Sequence, residues 1–218
     1  MSEASLPRDD SVATTQLAQS LAKLRAGDAI CAEYLLRVGV VSDAYRRRRE
    51  SKGRSVPSPM IWRCAGVLDY RMRRALFEAR TEGETYVCAV RDSQLVLGSP
   101  GSSFGKAKHA GREWPNPLWW LDLLGSAESV SQQSDGTILA VAPDPVAAPR
   151  SRWRGQSSGK PIELTAHFGE GSSLRSVAGA HLSLEAELVL QAAPAVRLDA
   201  DVWTDDTLRL PHQADCSW

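Results

Sequence analysis

The chain has 218 residues, with 26 basic and 26 acidic side chains and 43% hydrophobic content. That is length enough for one domain with a sizeable core. The charge balance argues against a general nucleic-acid binder, which carries a basic excess or stripe, and no run approaches the ~20 apolar residues of a membrane-spanning helix.

Residues 1–13 are polar and read as a disordered tail, before a domain over 14–212 and a short tail over 213–218. From Thr14 to Leu24, Leu17, Leu21 and Leu24 recur at helical spacing, with Thr14 or Thr15 as the cap. Gly27-Asp28 ends that helix. Ile30, Ala32, Tyr34, Leu36 and Val38 then share one face of a first strand within Ala29–Val41. Asp43 to Pro59 holds four consecutive arginines, Arg46 to Arg49. Such a run suits phosphate, anionic lipid or nucleic acid, but without aromatic stacking partners it is read as a solvated hairpin tip.

Met60 to Leu97 is the centre of the chain. Met60, Trp62, Cys64, Gly66, Leu68 and Tyr70 alternate with Arg63, Asp69 and their neighbours, the period of a half-buried strand. Segments 73–80, 84–91 and 94–98 follow, and Gly83 sits in the hairpin turn Thr81–Glu84. Strands joined by such short turns pair antiparallel. Residues 98–115 read as a loop. Its Gly105-Lys106-Ala107 lacks the Ser or Thr of a phosphate-binding loop, and His109 has no second metal ligand nearby.

Asn116 to Gly125 predicts a compact helix, with Asn as cap, Pro117 in the first turn and Gly closing it. It is apolar almost all round, so it is expected between other elements. Trp119 and Trp120 cannot both point into one small space. Residues 130–133 and 137–141 form a hairpin about Ser134-Asp135-Gly136, and 162–168 a further strand. Ser172 to Ala192 is read as a helix from Leu174, Val177, Leu182, Leu184, Leu188 and Val189. Val196 to Thr204 alternates again and is expected to join the sheet.

The four cysteines, Cys31, Cys64, Cys88 and Cys216, show no zinc-type spacing. The first three lie in predicted strands and are read as free buried thiols of a reducing compartment. No secretory leader is recognisable in the first twenty residues, so a cytoplasmic location is expected. His109, His167, His181 and His212 are scattered, and no G-x-S-x-G occurs. No catalytic residue, cofactor or metal is therefore expected, and the protein is read as not an enzyme.

Order and spacing carry a resemblance. An N-terminal helix, a strand and an arginine-bearing hairpin precede Gly66-Val67-Leu68-Asp69-Tyr70 and Arg73-Arg74-Ala75. The helix from Pro117 to Ala127 and Asp201-Val202-Trp203-Thr204-Asp205-Asp206 come later. This arrangement resembles the actinobacterial LolA-like and LppX/LprG-type lipoprotein carrier family, here without signal peptide or lipid-modified cysteine. The resemblance implies an α+β fold: a strongly curved antiparallel sheet, an open half-barrel, with helices packed on the concave side. It also implies an apolar ligand, a lipid or acyl chain, held between sheet and helices. Trp62, Cys64, Leu68, Tyr86, Trp119, Trp120 and Leu121 are the expected lining. The alternative is a cytoplasmic interaction or regulatory module with a protein partner and a cleft filled by its own side chains.

Overall fold

The computed structural model describes residues 10–91, 94–101, 108–109, 116–144, 161–181 and 184–191. The elements in chain order are α1 (Asp10–Ala26), β1 (Ile30–Val38), α2 (Asp43–Glu50), β2 (Met60–Asp69), β3 (Arg74–Thr81), β4 (Glu84–Arg91), β5 (Gln94–Gly98), β6 (Lys108–His109), α3 (Pro117–Gly125), β7 (Ser129–Gln132), β8 (Ile138–Ala142), β9 (Ile162–Phe168), β10 (Leu174–His181) and β11 (Leu184–Leu190). All strands belong to one sheet, ordered β6-β5-β4-β3-β2-β1-β11-β10-β9-β8-β7. Each neighbouring pair is antiparallel.

The chain thus starts in the middle of the sheet and meanders out to the β6 edge. It then crosses by α3 to the β7 edge and meanders back until β11 pairs with β1. The helix reveals the curvature. It touches β3 on one arm and β8 and β10 on the other. Strands β3 and β8 stand six places apart in the order, which in a flat sheet is roughly 29 Å at ~4.8 Å per strand. A helix about 10–12 Å across reaches both only if the sheet curls round it. The result is an α+β open half-barrel, with α1 and α3 on its concave side.

Side-chain alternation fixes which face is concave. Tyr34 and Leu36 of β1 and Trp62, Cys64 and Leu68 of β2 point inward into one cluster with α3, while Glu33, Arg37 and Arg63 are exposed on the other face. The outer face of the first arm is not uniformly wet. Register aligns Cys31, Val67, Leu76, Ala89 and Val96 in one outer row across β1 to β5, and all five are buried. Burial on both faces explains why these strands read as nearly continuous apolar runs.

Helix α1 buries Ala13, Leu17, Ser20 and Leu21 along one stripe. Lys23 Nζ donates to the Gly171 carbonyl at 2.7 Å, and the Ser20 hydroxyl donates to that of Ser172, tying α1 to the turn between β9 and β10. The helix begins at Asp10, ahead of the expected Thr14 cap.

Three expectations are corrected. Within the helix expected over 172–192, Leu174–His181 and Leu184–Leu190 are instead the paired strands β10 and β11. Leu184, Ala186, Leu188 and Leu190 are buried in strict alternation with Glu185, Glu187 and Val189, so a period of two outweighs the helical spacing of the leucines. The arginine run is not a hairpin tip but the helix α2, whose Ser42 side chain accepts from the Tyr45 amide. Within the expected loop at 98–115, residues 108–109 pair with β5. The strand expected at Val196–Thr204 lies outside the described residues.

Candidate functional site

The candidate site is the space between the concave face and α3. Pro117 occupies the first turn of α3, where its missing N–H and fixed φ suit a helix start. Asn116 stands at the cap position without a side-chain capping bond, and Ser126 rather than Gly125 is the C-cap. Leu118, Trp120, Leu121, Leu123 and Leu124 are all buried, as a helix apolar almost all round requires.

The two tryptophans divide as their adjacency demands. Trp120 enters the interior, and its indole N–H donates to the Tyr34 hydroxyl at 2.6 Å. Trp119 stays at the margin, stacked edge-on against Trp120 at 4.8 Å between centroids and against His181 at 5.8 Å. Across the sheet, Trp62 lies 5.6 Å from Tyr86, which is half-buried. The Tyr86 hydroxyl bonds the Glu84 carboxylate, and that bond pushes the phenol's pKa up. Tyr86 and Trp119 pack against the rim of the apolar cluster, and Trp62, Cys64, Leu68, Trp120 and Leu121 sit inside it.

That interior is filled. Side chains facing an empty cavity keep accessible surface toward it, yet Trp62, Leu36, Leu68, Phe77, Leu121, Leu164 and Leu188 keep 2% or less. Leu121, Leu164 and Leu188 have no exposure at all. The Trp120 ring comes close to the backbone at Gly179 of β10. A Cβ there would lie 2.5 Å from Leu164 Cδ2 and 2.9 Å from Trp120 Cζ3, so the missing side chain is the seat of the Trp120 ring.

The opposite side of α3 is fastened by charge. Asp122 accepts a two-pronged bond from the Arg73 guanidinium and a 3.3 Å bond from the Tyr70 hydroxyl. The bond to Asp122 holds the Arg73 pKa above its ordinary value. Arg73 has φ of 56° in the β2–β3 turn, where Asp69 Oδ1 also accepts from the Met72 amide at 2.9 Å. Guanidinium carbons of Arg25 and Arg73 each stand 5.5 Å from the Tyr70 ring centroid. Turn, helix α1 and helix α3 therefore meet at one aromatic ring.

Burial disfavours charge on the ionisable groups of the interior. Burial pushes the Cys64 and Cys88 thiols up, with Cys88 a further cause at Cys64, so neither supplies the thiolate that nucleophilic chemistry needs. Burial likewise raises Tyr34 against the lowering effect of the Trp120 bond. Cys64 and Cys88 keep their thiols outside any disulfide, but Cys31 is disulfide-bonded, which corrects the expectation of three unbridged thiols. His181 lies on β10 rather than on a helix, buried with its Nε2 3.5 Å from Asp144 Oδ1. Among the described residues no group of three or more His, Cys, Asp or Glu could hold a metal ion, and no helix is long and apolar enough to cross a membrane.

A depression of about 570 Å³ lies on the opposite, convex face, over β8 to β11 and β1. Leu35, Arg37, Glu163, Thr165, Glu185 and Glu187 are among its walls, and Arg37 pairs with Glu185 at 3.3 Å. Its charged rim does not match the apolar ligand expected from the sequence.

Of the inward-facing partners, sequence reasoning did not single out Tyr34, Leu36 or Phe77 for the site. Their signal was present, since Tyr34 and Leu36 occupy the same face as Ile30 and Ala32. Leu164, Gly179 and Leu188 were hidden by the helical reading of 172–192 and by the absence of any local sign that β9 faces α3.

No family model and no curated protein matches the sequence. Solved structures with a similar course include LprF from Mycobacterium bovis, at 10% identity and a TM-score of 0.44, covering 87% of this chain and 97% of that one. The lipoprotein LppX of Mycobacterium tuberculosis is similar at 11% identity and 0.44, over 88% of this chain and 100% of that one. An uncharacterized conserved protein from Thermus thermophilus follows at 9% and 0.39, over 93% and 96%. The half-barrel assignment rests on strand order and pairing, not on these likenesses.

Proposed function

We propose that this domain is a non-enzymatic binder of an apolar chain, a lipid or acyl group, taken up between the concave face and α3. The observation that carries the reading is the wrapping of one continuous apolar face around a helix in a sheet whose two edges, β6 and β7, are not paired to each other. Helices seal such an interior, and a helix can be displaced without breaking the sheet. Displacing it would open an apolar cleft with few polar groups, the setting in which small apolar ligands bind. Uptake then means drawing Trp120 off Tyr34 while Arg73 holds Asp122 on the opposite side of the helix. Native mass spectrometry of the purified protein tests for co-purifying lipid. Titration of a fluorescent fatty acid into ligand-free protein should quench tryptophan emission, because Trp62, Trp119 and Trp120 line the path.

A second reading is favoured by a specific observation, the near-zero exposure of Trp62, Leu68 and Leu121. In that reading the cleft is permanently filled by its own side chains and the domain is an interaction module. Absence of co-purifying lipid, with no change of probe or tryptophan signal on folded protein, would establish it over the first.

A further inference from the structure

We propose that α2 and the turn after it form a docking site for an anionic lipid surface. The charge of this protein is segregated. Residues 43–54 hold six basic and two acidic side chains, a net +4, which leaves the other 206 residues at −4. Helix α2 buries no residue, so packing does not explain why it exists. It is instead held by its own ends. Ser42 caps the start, and Arg49 Nε donates to the Ser55 carbonyl at 2.8 Å at the finish. Arg49 also lies over the Tyr45 ring at 5.9 Å. Arg46, Arg47 and Arg48 make no ion pair among the described residues.

The distribution of these charges selects the partner. Successive helical residues point about 100° apart, so four arginines in a row surround α2 instead of converging on one point. A single phosphate calls for convergent donors; a charged plane does not. Runs of four to eight basic residues bind anionic lipid surfaces, on the order of fivefold in affinity per residue. Two exposed apolar side chains belong to this end of the fold, Tyr45 in α2 at 45% and Met60 at the start of β2 at 41% exposure, suited to the interfacial layer. Nucleic acid fits less well, since the net charge outside 43–54 is negative.

The site is also placed to matter. Register sets Met60, Val38, Leu184 and His181 in one row at the end of the sheet from which α2 departs, and Trp119 packs on His181. Docking through α2 would bring the rim of the apolar cluster to the surface, but the docking itself does not depend on ligand binding.

The test is co-sedimentation with vesicles of phosphatidylcholine mixed with phosphatidylglycerol, against vesicles of phosphatidylcholine alone. The full chain should bind the mixed vesicles only, and less as salt rises. Joint substitution of Arg46→Gln, Arg47→Gln and Arg48→Gln should weaken binding about a hundredfold with unchanged melting, because α2 buries nothing. Joint substitution of the same three by Lys should retain binding, since a plane of charge reads charge and not fork geometry. Equal binding to both vesicle types, or undiminished binding of the Gln variant, would overturn the proposal. So would binding to duplex DNA with no binding to mixed vesicles.

Discussion

The indole N–H of Trp120 and the hydroxyl of Tyr34, 86 positions apart in sequence, meet in a 2.6 Å hydrogen bond inside an otherwise apolar interior. This polar contact fixes the rotation of α3 against β1. Removing either partner leaves the other buried and unpaired, at about 1–3 kcal/mol. Trp120→Phe and Tyr34→Phe should each destabilise the fold, and the double variant by less than their sum. Urea unfolding of the four proteins as a double-mutant cycle measures the coupling; strict additivity would contradict a shared bond.

Leu121 and Trp119 stand two positions apart on α3 and point to different surroundings. Leu121→Asp buries an unpaired carboxylate at a site with no exposure, a cost of several kcal/mol that rivals a domain's total stability. That variant should be unfolded by circular dichroism. Trp119→Asp can turn its carboxylate to solvent at the rim and should remain folded with a lowered melting temperature.

Gly66 is the tightest point of the sheet. A Cβ there would stand 2.0 Å from the Leu76 carbonyl oxygen and 2.6 Å from the Phe77 Cα, both backbone atoms of β3. Backbone cannot swing aside as a side chain does, so Gly66→Ala should cost at least the ~1–3 kcal/mol of ordinary overpacking. Thermal melting checks this. A variant as stable as the parent would mean that β2 and β3 are further apart than described.

Alkaline pH should weaken the protein. Cys64, Cys88 and Tyr34 all have folded pKa values raised by burial. Their stabilising contribution is complete below the unfolded thiol pKa of about 8.5. Above it the unfolded chain releases protons that the folded chain keeps, so stability falls with pH by up to about 1.4 kcal/mol per unit for each group. Tyr34 adds to the slope above about pH 10. Urea midpoints should be level near pH 7 to 8 and decline steadily toward 11, and Cys88→Ala should flatten the decline.

The sheet was legible wherever its strands were both alternating and joined by short turns. Met60 to Gly98 was read strand by strand because Trp62 and Cys64 alternate with exposed or half-buried neighbours. The same rule was available at Leu184-Glu185-Ala186-Glu187-Leu188, but the leucines there also satisfy helical spacing, and only pairing with β1 decides between the two. Helix α2 escaped notice because it has no apolar face, and its sole signals are the Ser42 cap and Asp43 in the first turn. At the site, Trp62, Trp120 and Leu121 were expected and are brought together. Tyr34 was not, since nothing local marks a partner that arrives from the far end of a crossover. Curvature is likewise a property of the whole sheet, invisible to the alternation of any strand.

Pairing of β1 with β11 has a consequence for synthesis. The first strand to leave the ribosome finds β2 at once, but its other edge waits for a strand that lies more than 150 positions later, as Ala32 opposite Leu190 shows. Until then β1 offers a row of bare amides and carbonyls, the template on which unwanted strands add. The two arms, β1 to β6 and β7 to β11, are each local meanders and can form in their turn; the seam between them closes last. A nascent chain stalled before Leu184 should therefore be the aggregation-prone species, and β11 supplied as a separate peptide should rescue it by taking the vacant edge.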